Sequence, residues 1–109
     1  MSKAGGKKPR KSRRKPAKVW FVYMVECAGG RIYTGIALDV AARFEKHRSG
    51  RGAAFTRINK PVRVVAAMAC GSQGDAAREE SRLKKLRRTE KLLWAGRRPW
   101  RARPAGNEA

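Results

Sequence analysis

The chain has 109 residues, enough for one domain with a modest core, and sets 28 Lys and Arg against 8 Asp and Glu, a formal net charge of +20. So one-sided a balance exceeds what solubility needs and points to a polyanion partner, nucleic acid ahead of an anionic membrane surface. Two cysteines, Cys27 and Cys70, exclude a disulfide framework, no apolar run reaches the ~20 residues of a membrane span, and the basic N-terminus lacks the apolar segment of a secretory signal. The expected address is a reducing cytoplasm, at the nucleoid.

Residues 1–18 hold nine of the cations and no acid, with Gly and Pro between, and read as a disordered basic tail. The remainder still carries +11, so the folded part is basic in its own right. From Val19, the aromatic and β-branched run to Glu26 predicts a strand. Ala28-Gly29-Gly30 predicts a turn, and Arg31 to Ile36 the returning strand. Asp39 is placed to cap a helix through Val40, Phe44 and His47 that ends at Ser49-Gly50.

Residues 50–60 read as a loop, and Val62 to Met68 as a third strand after Pro61. Beyond a second loop at residues 70–74, Asp75 is placed to cap a longer helix to about Arg88. Thr89 is placed to cap a short one from Glu90 to Trp94, and residues 96–109 read as a flexible tail. The order is β-β-α-β-α-α, an α/β domain over residues 19–95 with three strands and covering helices.

Six polar positions stand out against this framework. Strand residues alternate faces, so the predicted hairpin can set Tyr23 and Tyr33 side by side; singly, each reads as a half-buried strand tyrosine. Arg43 and His47 are four apart and project from one helix face beside the Val40–Phe44 stripe. On the second long helix, Ala76, Leu83 and Leu86 form the inward stripe, and Glu79 and Glu80 both border it. A carboxylate beside a buried face costs several kcal/mol unless it is paired or bound to metal. Periodicity does not choose between the two glutamates.

The runs Phe21-Val22-Tyr23-Met24-Val25, Ile32-Tyr33-Thr34-Gly35-Ile36 and Asp39-Val40-Ala41-Ala42-Arg43-Phe44 resemble the GIY-YIG nuclease superfamily. His47-Arg48-Ser49-Gly50-Arg51-Gly52-Ala53 and Arg78-Glu79-Glu80-Ser81-Arg82-Leu83 extend the likeness, which is nearest to the small single-domain bacterial members. The resemblance implies a three-stranded antiparallel sheet flanked by helices, with the active site on its surface. Tyr23 and Tyr33 take the places of the two motif tyrosines, Arg43 and His47 those that follow, and Glu80, in preference to Glu79, that of the metal ligand. Three features depart from the family pattern: the first motif lacks its glycine, Thr34 replaces an isoleucine, and Leu92 stands near where many relatives carry an asparagine.

What the resemblance implies in function is a metal-dependent endonuclease acting on DNA, structure- or damage-selective, in repair or recombination. Glu80 would hold one Mg²⁺ or Mn²⁺, hard cations that take oxygen ligands and keep waters. Arg43 would clamp the phosphate, and the two tyrosines, with His47 assisting, would handle the proton. Arg51, Arg57, Lys60, Arg78 and Arg82, with the tail, would contact phosphates without reading sequence. RNA remains open as a substrate, as does a protein partner that targets the enzyme. The alternative is a nucleic-acid-binding protein that keeps the fold without turnover.

Overall fold

The computed structural model describes residues 18–100. The expected basic tail, apart from an exposed Lys18, and residues 101–109 lie outside them. Strand β1 (Trp20–Cys27) turns through one 3-10 turn at Ala28–Gly30 into β2 (Ile32–Ala37). Helices α1 (Val40–Arg48) and α2 (Ala54–Ile58) follow, then β3 (Pro61–Cys70), α3 (Gln73–Lys84) and α4 (Arg88–Gly96). The sheet is antiparallel in the order β2-β1-β3, so β1, the most apolar strand, lies in the middle. Among the described residues no helix is long and apolar enough to cross a membrane.

Alternation along β1 splits the core into two layers. Val22 and Met24 face Ala66, Leu83, Trp94 and Ala95, so α3 and α4 cover that side of the sheet. Tyr23, Val25 and Cys27 face the opposite way, toward Val64, Val40 and Phe44 of α1, and Trp100. Opposite Met24 stands Ala66 and opposite Val25 stands Val64, leaving Val65 as the extra residue of a β-bulge. The bulge lets Val65 join the Val22 layer next to Ala66.

The structure departs from the sequence expectations at several places. Residues 50–60 are not all loop, since α2 lies within them. Ser72, not Asp75, caps α3, its Oγ accepting from the Asp75 backbone N–H at 3.0 Å. That helix stops at Lys84, and α4 begins at Arg88 with Arg87 as its cap; there Glu90 accepts from the Arg87 backbone N–H at 2.9 Å. Thr89 is therefore inside α4, not its cap.

Order also continues past residue 96. The Ala67 N–H donates to the Arg98 carbonyl at 3.0 Å, Pro99 bridges to Ala66, and Trp100 packs into the tyrosine-side layer. The apolar surface of Trp100 supplies the burial that its Pro- and Arg-rich neighbours lack.

Candidate active site

The hairpin register sets Tyr23 opposite Gly35 and Tyr33 opposite Val25, which places both tyrosines on one face. Their ring centroids are 6.3 Å apart. The space between them depends on Gly35: a Cβ there would meet Tyr23 Oη at 2.8 Å and Tyr33 Cε2 at 2.9 Å. His47 closes the triangle, its ring 6.1 Å from that of Tyr23 and 4.9 Å from that of Tyr33, edge-on to the latter.

His47 is buried, 2% exposed, and is not the solvated cation that its place in a basic helix suggests. Burial, and behind it the charge of Arg43, push its pKa below the ordinary histidine value. A neutral imidazole has one donor and one acceptor, and its neighbours decide which is which. Thr56 Oγ1 donates its single hydrogen to the Ala53 carbonyl at 2.9 Å. It must therefore accept from His47 Nδ1, also at 2.9 Å. His47 Nε2 is left as the acceptor, and it receives the hydroxyl of the fully buried Tyr23 at 2.9 Å. The result is a directed chain of hydrogen bonds, Tyr23 to His47 to Thr56 to the Ala53 carbonyl.

Thr56 is 1% exposed and belongs to α2, the segment read from sequence as loop. No side chain caps this five-residue helix, and five residues are too few to show a periodic stripe. It is held in place by the bond to His47 and by the approach of Gly52, where a Cβ would collide with the imidazole. The Gly50-Arg51-Gly52 run after the histidine is the one sequence signal of that approach.

Arg43 is exposed and close enough to act as a positive charge on Tyr23, Tyr33 and His47 alike. Burial pushes the Tyr23 phenol well above the usual tyrosine range; Tyr33 and Glu80 add to the effect, while Arg43 opposes it. Tyr33 is raised in the same way, with Lys84 and Arg43 opposing. Both phenols are therefore protonated at neutral pH.

The two glutamates separate. Glu79 is gripped by Arg82 through two hydrogen bonds, Nε to Oε1 at 3.1 Å and Nη2 to Oε2 at 2.5 Å. That ion pair, with Trp94 and Arg98 nearby, holds its carboxyl below the usual range. Glu80 instead lies within electrostatic reach of both tyrosines, its side chain 22% exposed and paired with Lys84 Nζ at 3.0 Å.

Among the described residues no group of three or more His, Cys, Asp or Glu side chains could hold a metal ion. The donor set suits a Mg²⁺-like ion bound by one carboxylate, since such ions keep several waters and draw further oxygens from substrate phosphates.

The cations fall into two groups. Arg57 and Lys60, with Arg48, line a cavity of about 350 Å³ whose wall includes His47 and Thr56. Arg51 is exposed on the loop before α2, its Nε donating to Ser49 Oγ. Arg78 and Arg82 are engaged by Asp75 and Glu79 and do not line this cavity.

Residues 19–92 match the GIY-YIG catalytic domain. A UPF0213 protein of Cupriavidus pinatubonensis is 41% identical over 78 residues, covering 72% of this chain and 87% of its own. UPF0213 proteins of Xanthomonas axonopodis pv. citri and Staphylococcus aureus are 39% and 42% identical, over 75% and 66% of this chain and 80% and 88% of theirs. The solution structure of a UPF0213 protein from Bacillus halodurans is 41% identical and covers 72% of this chain and 83% of its own, with a TM-score of 0.46. The chain belongs to the GIY-YIG family, a nuclease family whose substrates are nucleic acids.

Proposed function

We propose that the protein is a metal-dependent endonuclease that hydrolyses DNA phosphodiesters, selecting substrates by structure or damage in bacterial repair or recombination. The observation that carries this reading is the hydrogen-bond chain from Tyr23 through a neutral His47 to Thr56. A phenol whose pKa is raised by burial is a poor base on its own. It can accept a proton from water only while passing its own proton on, and His47 Nε2 is placed to take it.

His47 Nδ1–H stays bonded to Thr56 throughout, so the imidazolium that forms is oriented and partly compensated. Arg43 neutralises phosphoryl charge, its planar fork suiting two oxygens at once. Tyr33 orients the water or the phosphate beside Tyr23 and supplies the second motif hydroxyl. Glu80 would hold the Mg²⁺ or Mn²⁺, which supplies Lewis-acid stabilisation of the phosphoryl and leaving oxygens. The cations at Arg48, Arg57 and Lys60 favour a strand running past His47 toward α2.

A second reading, a nucleic-acid-binding protein without turnover, is favoured by one observation: Lys84 Nζ pairs with one Glu80 oxygen, Oε2, at 3.0 Å. Incubation with linear, nicked, branched and flapped DNA in Mg²⁺ or Mn²⁺ separates the two. The nuclease reading expects metal-dependent cutting that Glu80→Ala abolishes while DNA binding persists. Binding without cutting in either metal would favour the second reading, and cutting by Glu80→Ala would overturn the metal assignment.

A further inference from the structure

Beside the tyrosines, at the free edge of the sheet, lies a cavity of about 270 Å³ lined by Ile32, Tyr33, Thr34, Phe55, Lys84 and Lys91. The reaction just described does not use it. Resting on that nuclease reading and naming its substrate more closely, we propose that this cavity binds one unpaired nucleobase of the cut strand, stacked on Phe55.

Three features meet there. Phe55 is 38% exposed, although its neighbour on α2, Thr56, is buried in the hydrogen-bond chain. Its ring lies 5.9 Å from that of Tyr33 at an interplanar angle of 36°, so the two rings form an open aromatic corner. Lys84 and Lys91 flank that corner, the charge arrangement that accompanies aromatic platforms on which single strands stack.

The volume falls just below the range of about 300–1,000 Å³ typical of larger ligands, which suits a single flat ring system. Tyr33 and Lys84 connect the cavity to the reaction centre, the first through His47 and the second through Glu80. A nucleotide seated on Phe55 therefore neighbours the phosphate being cut. A base inside a duplex has both faces stacked and its edge paired, so it cannot enter without first leaving the helix. The cavity thus selects flaps, gaps, bulges and single strands over continuous duplex.

The test reads binding alone, using the full chain with a chelator present so that no cutting occurs. The probes are oligonucleotides carrying 2-aminopurine, either unpaired at a flap junction or paired in a continuous duplex of the same sequence, in DNA and RNA versions. Quenching of the unpaired probe is expected, with affinity about tenfold above that for the duplex, the size of one base–aromatic stack. Phe55→Ala should abolish the quenching and weaken unpaired-strand binding about 5- to 20-fold, and Phe55→Tyr should restore both.

Unchanged melting temperature and circular dichroism separate that loss from misfolding. Whichever sugar shows the Phe55 dependence identifies the strand. Equal affinity for paired and unpaired probes, or binding indifferent to Phe55→Ala in both sugars, would overturn the proposal. Failure to cut DNA in metal would leave these readings intact, so the two proposals fail separately.

Discussion

Val22 and Met24 project from β1 into a layer of Ala66, Leu83 and Trp94, while Tyr23, between them, projects the other way toward His47 and Thr56. The first layer is held by apolar burial, which is non-directional and tolerates exchange of one hydrocarbon for another of similar volume. The second buries a phenol, an imidazole and a hydroxyl in its midst, each of which must find a partner or cost free energy. One face of the sheet therefore carries stability that many sequences can supply. The other carries an orientation that depends on particular atoms, and the proposed chemistry is assigned to that face.

Variants that truncate one side chain on each face should separate these roles. The largest effect is expected from Tyr23→Phe, which takes the relay's first oxygen: cleavage per folded molecule should fall about 10²- to 10⁴-fold, as for loss of a general acid–base group. Its stability cost, from leaving His47 Nε2 without a donor, should be only about 1–3 kcal/mol by denaturant titration. Leu83→Ala should do the converse, losing about 2–5 kcal/mol of stability while the cleavage rate of the folded fraction stays within a few-fold. A Leu83→Ala protein that is stable but inactive would mean that the two layers are coupled and the division is wrong.

Thr56 allows a finer cut. Thr56→Val keeps the shape but leaves His47 Nδ1–H buried without an acceptor, so it should cost about 1–3 kcal/mol and free the imidazole to change tautomer. Thr56→Ser should retain both stability and rate. Nitrogen-15 shifts of the single histidine report the tautomer directly: Nδ1–H in the wild-type chain and a mixture in Thr56→Val.

The smallest effect is one of pH. Because the folded pKa of His47 is depressed, the unfolded chain binds a proton that the folded chain does not, over the window from the folded value up to about 6.5. Stability contributed by neutral His47 is complete above that window and is lost as pH falls through it. Melting temperature should therefore drop on acidification below about pH 6.5, before the carboxylates titrate near pH 4, and His47→Gln should flatten that limb. Cleavage should hold across this window and decline only as pH falls through the depressed folded value, since protonated Nε2 cannot accept from Tyr23. A melting temperature that rose on acidification through this window would contradict a buried, neutral His47.

The hairpin and its paired tyrosines were legible in the chain because a period of two and a Gly-Gly turn are local signals, and the residues from Trp20 to Ala37 carry both. Arg43 and His47 were legible as neighbours on one helix. The acceptor for His47 was not, because Thr56 sits on a helix too short to show a pattern, and its role exists only through a contact nine residues away. Phe55 was hidden for the same reason.

Thus the sequence by itself determined the three strands, a hairpin able to set the two tyrosines on one face, the helix that carries Arg43 and His47, and the basic charge. Periodicity and charge are properties of the chain before it folds. Tertiary structure decided the environments. It placed Glu79 against Arg82 and Glu80 within reach of the tyrosines, although both border one apolar stripe. It also made a neutral acceptor of a histidine in a cationic helix, since desolvation and hydrogen-bond direction depend on what the rest of the fold brings alongside.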